Sequence, residues 1–290
     1  MTERPDGPVL SNPRSDRIRA IRALSGRSVR QRTNRFLIEG PQSVREAVRF
    51  GFADEVLFTA AAAQRYPEIM REAAEKSIWA REATADVIQA ISADAQGIIA
   101  VAPMPQPALE EVLVPGAKLV VILHENQDPG NAGTVIRTAD AAGADAVIMT
   151  RGSVDVFNPK VVRATAGSLF HIPVVTGIDL EAALATVSAR SLQLLAADGG
   201  AGNDLNELLD ALDPGRQPEA NQPDLRRPTA WLFGNEARGL QALDLQRVDA
   251  AVAVPIHGDA ESLNLATAAA LCLYASARAQ RPSREASTRA

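Results

Sequence analysis

Side chains able to bind a ligand or move a proton crowd into three short segments, each at the end of an apolar run. The first is Asp128-Pro-Gly-Asn-Ala-Gly-Thr-Val-Ile-Arg-Thr-Ala-Asp140, just after Leu119 to Leu123. Asn131 could cap a helix opening there or hydrogen-bond a ligand. Arg137 lies within that helix six residues on, and by residue type it reads as a surface arginine on a capped helix. The second segment is Leu232-Phe-Gly-Asn-Glu-Ala-Arg-Gly-Leu240, in which a strand runs into Gly234, whose missing side chain admits a ligand or another stretch of backbone. Glu236 follows, as a helix cap or a substrate-binding carboxylate. The third, Val254-Pro-Ile-His-Gly-Asp-Ala-Glu-Ser-Leu-Asn-Leu-Ala-Thr267, leads into a long apolar helix and offers Ser262 and Asn264, both of them good caps and good hydrogen-bonding groups.

Several other chemistries lack their residues. No G-x-G-x-x-G follows an early strand, which weakens dehydrogenase and common methyltransferase readings, and P-loop, H-E-x-x-H and G-x-S-x-G patterns are missing as well. The single cysteine, Cys272, lies in the apolar run Ala266 to Ala275 and reads as buried packing. His124, His171 and His257 are scattered, so no metal is expected. No stretch reaches the roughly 20 apolar residues that span a bilayer, and no apolar signal core opens the chain, so a cytoplasmic protein is expected.

The elements that must position these segments alternate. In the 290 residues, 46% are hydrophobic and 22% charged, enough apolar side chain for two modest cores. Residues 1–14 and 281–290 read as tails. Residues 15–104 read as a small α/β domain: helical spacing at Ile18, Ile21 and Leu24, strands at Phe36 to Ile38, Val56 to Phe58, Ser77 to Trp79 and Gly97 to Val101, and helices around Val44 to Val48, Ala60 to Lys76 and Ala83 to Ser92. Pro103, Pro105, Pro107 and Pro115 mark residues 105–117 as a linker. Residues 118–280 read as a second α/β domain with a mainly parallel sheet. Its strands are placed at Leu119 to Leu123, Ala146 to Met149, Ile172 to Val175, Leu192 to Ala196, Ala230 to Phe233 and Ala251 to Val254. Its helices are placed at Gly130 to Ala142 and Ser262 to Ala279, and the Gly-, Asn- and Pro-rich stretch 199–228, with a short helix near Leu205 to Leu212, reads as a surface insertion.

Net charge is −5, which argues against a protein that merely coats nucleic acid. Yet Arg14, Arg17, Arg19, Arg22, Arg27, Arg30, Arg32 and Arg35 face one acid, Asp16, across 22 residues. That cluster is either a phosphate-binding patch or a solvated helix face.

In order and spacing, the three chemistry-bearing segments resemble the signature motifs of the SpoU branch of the SPOUT methyltransferases: N-x-G-x-x-x-R-T-A, F-G-N-E-x-x-G-L and I-P-x-x-G-x-x-E-S-L-N. Asn158-Pro-Lys-Val-Val-Arg-Ala-Thr-Ala-Gly167 is also similar to a segment of that family, and Asn34-Arg-Phe-Leu-Ile-Glu-Gly40 to the substrate-binding domain often fused ahead of it. His124 and Glu125 depart from the Asp or Asn usual in relatives, and Asn158 from the usual Ser.

The resemblance implies an α/β catalytic domain with a deep trefoil knot. S-adenosylmethionine is the implied cofactor, held by the loops around Ala197, Phe233, Gly234, Val254, Ile256 and Leu263. The implied reaction is attack of a ribose 2′-oxygen of RNA on the sulfonium methyl, with Arg137, Asn131, Glu236, Ser262 and Asn264 at the site and Arg27, Arg30, Arg32 and Arg35 on the RNA. Arg137 matches the family arginine assigned to deprotonation. A guanidinium is neutral in roughly one molecule in a million at pH 7, a cost of about 7 kcal/mol, so orienting a phosphate and polarising the hydroxyl suit it better. The resemblance also implies a homodimer, with the helix from Leu263 either partly dimer surface or plain core. Ribosomal RNA is the expected substrate; transfer RNA, or a catalytically silent RNA-binding role, are the alternatives.

Overall fold

In the computed structural model, which describes residues 8–213 and 222–281, the chain divides into Met1–Pro105 with Asp155–His171, and Gln106–Val154 with Ile172–Ala290. Stretch 155–171, expected within the C-terminal domain, thus belongs to the N-terminal unit.

The N-terminal unit runs α1 (Asp16–Ala23), α2 (Arg27–Thr33), β1 (Arg35–Glu39), α3 (Pro41–Arg49), β2 (Glu55–Phe58), α4 (Ala60–Arg65), α5 (Pro67–Glu75), β3 (Trp79–Glu82), α6 (Ala85–Ile91) and β4 (Ile98–Pro103). Where one helix was expected over Ala60 to Lys76 there are two. Tyr66 leaves the helical region because Pro67 crowds the residue before it. The sheet order is β1-β4-β2-β3, and it is mixed: β4 is antiparallel to both β1 and β2, while β2 and β3 are parallel. Of the expected N-terminal tail, Leu10 is tied to the β3 edge through Glu82 and Thr84, and residues 1–7 lie outside the described residues, as do 282–290 at the other end.

The basic cluster is not uniform. Arg30 is buried, 2% exposed, and ion-paired to Asp155 at 2.6 Å, so it cannot reach a phosphate; its assignment to RNA is corrected. Arg35 pairs with Asp54, Arg17 with Glu55, and Arg19 with Asp16. Arg27 and Arg32 are exposed, as are Arg14 and Arg22, and none of the four has a carboxylate partner among the described residues.

The other unit begins with α7 (Leu109–Val112), inside the stretch expected to be a linker. Leu109, Val112 and Leu113 belong to its hydrophobic core, so prolines here bend the chain without freeing it. Then come β5 (Leu119–Leu123), α8 (Pro129–Ala142) and β6 (Ala146–Thr150). The chain next enters the N-terminal unit as α9 (Pro159–Ala164), where Arg163 pairs with Glu39 and Asp94. Gly167 there holds φ 105°, and a Cβ on it would stand 2.5 Å from Glu46 Cγ. Returning, the chain forms β7 (Val174–Ile178), α10 (Leu180–Ala189), β8 (Gln193–Ala197), β9 (Asn203–Asp204), α11 (Leu205–Asp210), β10 (Thr229–Phe233), α12 (Ala242–Leu245), β11 (Ala250–Ala253) and α13 (Leu265–Gln280). Stretch 199–228 is more than a surface insertion, since Leu205, Leu208, Ala211 and Leu225 are buried; its residues 214–221 lie outside those described.

Among the described residues the sheet of this unit has order β7-β6-β5-β10-β8-β11-β9, all parallel. All five side chains of β5 are buried, as continuous apolar runs in covered parallel strands are. Helix α8 buries Ala132, Val135, Ile136 and Ala139, the i, i+3, i+4, i+7 stripe of an amphipathic helix. Helix α13 is tied to β10 by the Trp231 indole, which donates to Ser276 Oγ at 2.9 Å and so keeps no orphan N–H in the core. Cys272 is fully buried, and burial pushes its thiol up to about 12.

Candidate active site

Strand β10 inserts between β5 and β8, so Phe233 at its end is level with Leu123 on one side and Ala197 on the other, and Val252 of β11 is level with Ala197. The carboxyl ends of β8, β10 and β11 therefore converge, the place where open α/β sheets take ligands. A cavity of about 510 Å³ lies there, a volume ordinary for a small-molecule site. Its walls include Ala197, Phe233, Gly234, Val254, Ile256 and Leu263.

The loop after β10 folds back on itself. A Cβ on Gly234 would lie 2.5 Å from the carbonyl carbon of Gly239, so it is a neighbouring backbone that requires glycine. Asn235 locks the turn. Its Oδ1 accepts from the amides of Ala237 and Arg238 at 3.0 and 3.2 Å, and its Nδ2 donates to the Glu125 carbonyl at 2.8 Å. Glu236 is left projecting at the cavity wall, and no helix follows for it to cap.

Four donors meet its carboxylate. Oε1 accepts from Asn126 Nδ2, from the Asp128 amide at 3.2 Å and from Asn131 Nδ2 at 3.5 Å, while Oε2 accepts from the Gln127 amide at 3.3 Å. Asn131 in turn accepts at Oδ1 from Asn264 Nδ2 at 2.9 Å, 133 residues away. All three expected motifs thus join in one hydrogen-bonded line from Glu236 through Asn131 to Asn264.

The caps are distributed differently from expectation. Asp128, not Asn131, caps α8: its Oδ1 accepts from the Asn131 amide at 2.7 Å. The signal was present, because proline favours the first helical position and Pro129 makes Asp128 the cap. Asn264 caps α13, accepting from the Ala266 amide at 2.9 Å. Ser262, expected on that helix, lies in the loop before it and lines the cavity. Arg137 is the one expected catalytic residue that does not line the cavity. It sits six residues beyond Asn131, which at 100° per residue turns it about 240° round α8, and its exposed guanidinium has no partner among the described residues. Asn126, Asp198 and Glu261 were missed; the latter two line the cavity. Nothing in local sequence marks Asp198, whereas Glu261 is the acid of the motif E-S-L-N that ends at Asn264.

The cavity pairs an apolar slot with carboxylates of Asp198, Glu236 and Glu261. That set of acceptors suits a flat apolar group carrying positive charge at one end and needs no phosphate loop. No group of His, Cys, Asp or Glu among the described residues could hold a metal ion.

The chain is similar to known proteins along most of its length. Residues 118–274 match the SpoU rRNA Methylase family and residues 15–100 the MRM3-like substrate binding domain. The chain is 32% identical over 266 residues to the 23S rRNA (guanosine(2553)-2′-O)-methyltransferase RlmP of Bacillus subtilis, covering 91% of this chain and 97% of that one. It is 31% identical over 294 residues to the 23S rRNA (uridine(2479)-2′-O)-methyltransferase of Streptomyces viridochromogenes, covering 95% and 94%. An AdoMet-bound rRNA methyltransferase from Sinorhizobium meliloti superposes with a TM-score of 0.78 at 26% identity, over 95% of this chain and 99% of that one. With a family match over its cavity-bearing unit and relatives matched along most of their length, the chain belongs to the SpoU rRNA methylase family.

Proposed function

We propose that this chain transfers a methyl group from S-adenosylmethionine to a ribose 2′-hydroxyl of RNA in the cytoplasm, with 23S ribosomal RNA as substrate. The line Glu236–Asn131–Asn264 at the wall of the cavity carries this reading, because it joins three motifs distant in sequence at one place. The names of the two relatives, both 23S rRNA 2′-O-methyltransferases, support the substrate.

S-adenosylmethionine, when bound, supplies a methyl made electrophilic by its sulfonium sulfur. Ala197, Phe233, Gly234, Val254, Ile256 and Leu263, which line the cavity, would hold it together with backbone groups of the surrounding loops. Glu236, Asn131, Ser262 and Asn264 orient the ribose by hydrogen bonds. Alignment of two bound reactants is worth up to about 7 to 11 kcal/mol. Arg137 holds the neighbouring phosphate and polarises the 2′-hydroxyl, which needs no neutral guanidinium. Arg27, Arg32 and Arg35, together with Arg14 and Arg22, contact the RNA backbone.

Arg137 stands outside the cavity of its own chain, so the reading includes a homodimer in which Arg137 of one copy serves the cavity of the other. The exposed Leu271 and Tyr274 of α13 form its contact. Transfer of label from S-adenosylmethionine to ribosomal RNA, and not to transfer RNA, tests the proposal. Transfer to neither would overturn it.

A further inference from the structure

We infer that Asn126 is a positioning residue for the methyl-transfer site: its carboxamide fixes the carboxylate of Glu236. This rests on the reading of Glu236 as a site residue. Asn126 is fully buried, and its backbone is pinned as well, since its carbonyl accepts from the Val154 amide at 2.7 Å. Nδ2 donates to Glu236 Oε1, whereas Oδ1 has no hydrogen-bond partner. The opposite amide orientation would set two acceptors against each other, so the donor must point at Glu236 and the orphan must be Oδ1.

A buried acceptor without a donor costs stability, and an aliphatic side chain of the same size would fill the space without that cost. The carboxamide is therefore the less stable choice at position 126, and the donor to Glu236 is what it supplies. Glu236 needs such support. It lies on an exposed turn with several rotatable bonds, and a site must hold its groups to within about 0.5 Å. Asn126, together with the amides of Gln127 and Asp128, holds it from the protein side, leaving a lone pair of Oε2 toward the ligand.

Three measurements on the full-length chain test this. Asn126→Leu should melt at or above the wild-type temperature and bind S-adenosylmethionine within about twofold of wild type. Its turnover at saturating substrates should fall about tenfold, the loss of one hydrogen bond to a charged group. In Asn126→Asp only a protonated carboxyl can donate, so the ratio of variant to wild-type turnover should climb as pH drops from about 8 to about 5.5. Wild-type turnover in the Leu variant, or a flat ratio in the Asp variant, overturns the inference. The third reading is independent of turnover, and so separates failure of this inference from failure of the methyltransferase reading. In 15N-labelled protein the Asn126 side-chain amide protons should exchange slowly, and Glu236→Ala should release them; unchanged exchange also overturns it.

Discussion

Arg30 and Asp155, 125 residues apart in the chain, form a buried ion pair: Nη2 and Nε of the arginine both donate to Asp155 Oδ2, at 2.6 and 3.1 Å. The remaining nitrogen, Nη1, donates to the carbonyls of Leu24 and Ser25 at 2.9 and 2.7 Å. Every arm of the guanidinium is thus engaged inside the protein, whereas Arg27 and Arg32 on the same helix are exposed. The two kinds of arginine should behave differently. Arg30→Ala leaves the Asp155 carboxylate without its counter-charge and should cost about 3 kcal/mol in urea unfolding, by the usual penalty of a broken buried pair. Replacing Arg27 and Arg32 together by Glu should leave stability within about 0.5 kcal/mol. It should also flatten the salt dependence of RNA binding by about 1.5 in the log–log slope. An unchanged slope would remove that patch from the RNA interface.

Sequence and structure agree most closely where a local rule decides. The buried stripe of α8 and the continuous apolar β5 follow from period and composition alone. So does the burial of Cys272. Disagreement arises where a distant partner decides. Nothing near Arg30 announces Asp155, and the arginine cluster therefore looks uniform in one dimension. The same holds for Asn126, whose role depends on Glu236, 110 residues away. Prolines 103 to 115 suggest a linker, yet Leu109, Val112 and Leu113 between them find a core to enter. Gly234 was legible as a close approach, though not which backbone approaches it.

Asn264 does two jobs that one substitution can separate. Its Oδ1 caps α13 through the Ala266 amide at 2.9 Å, and its Nδ2 donates to Asn131 at 2.9 Å. Asn264→Asp keeps an oxygen for the cap and loses the donor. Stability should stay within about 0.5 kcal/mol, because Asp and Asn cap equally well, while methyl transfer falls at least about tenfold. Asn264→Ala should lose about 1 kcal/mol in addition. Equal activity in the Asp variant and wild type would show that the link to Asn131 is not used.

Arg137→Ala should reduce transfer by about 100-fold or more while leaving the affinity for S-adenosylmethionine, read by calorimetric titration, within about twofold. Because Arg137 lies off its own cavity, inactive Arg137→Ala and Glu236→Ala chains should rescue each other on mixing. In a mixed dimer one cavity has an intact Glu236 from its own chain and an intact Arg137 from the other. Random pairing makes half the dimers mixed, each with one complete site, so about a quarter of wild-type activity should return. No rescue in exchanging dimers would place Arg137 in its own chain's site.

The Cys272 thiol gives the fold a pH limit of its own. Burial raises it from 9.0 to about 12, so the folded chain keeps the proton at a pH where the unfolded chain releases it. The sign follows from linkage. Below pH 9 both states hold the proton and stability is unaffected; above it the unfolded state is stabilised by ionisation, and folding stability falls. One unit of pH above 9.0 is worth about 1.4 kcal/mol. Urea unfolding of wild type and Cys272→Ala should therefore run parallel from about pH 7 to 9, then converge or cross by about pH 10 as the wild type alone loses that amount. Native protein should also resist a thiol reagent at about pH 8 and react once unfolded, since the reactive thiolate is both scarce and enclosed. Stability curves that stay parallel to pH 10 would mean that the thiol ionises as readily in the folded chain as in the unfolded one.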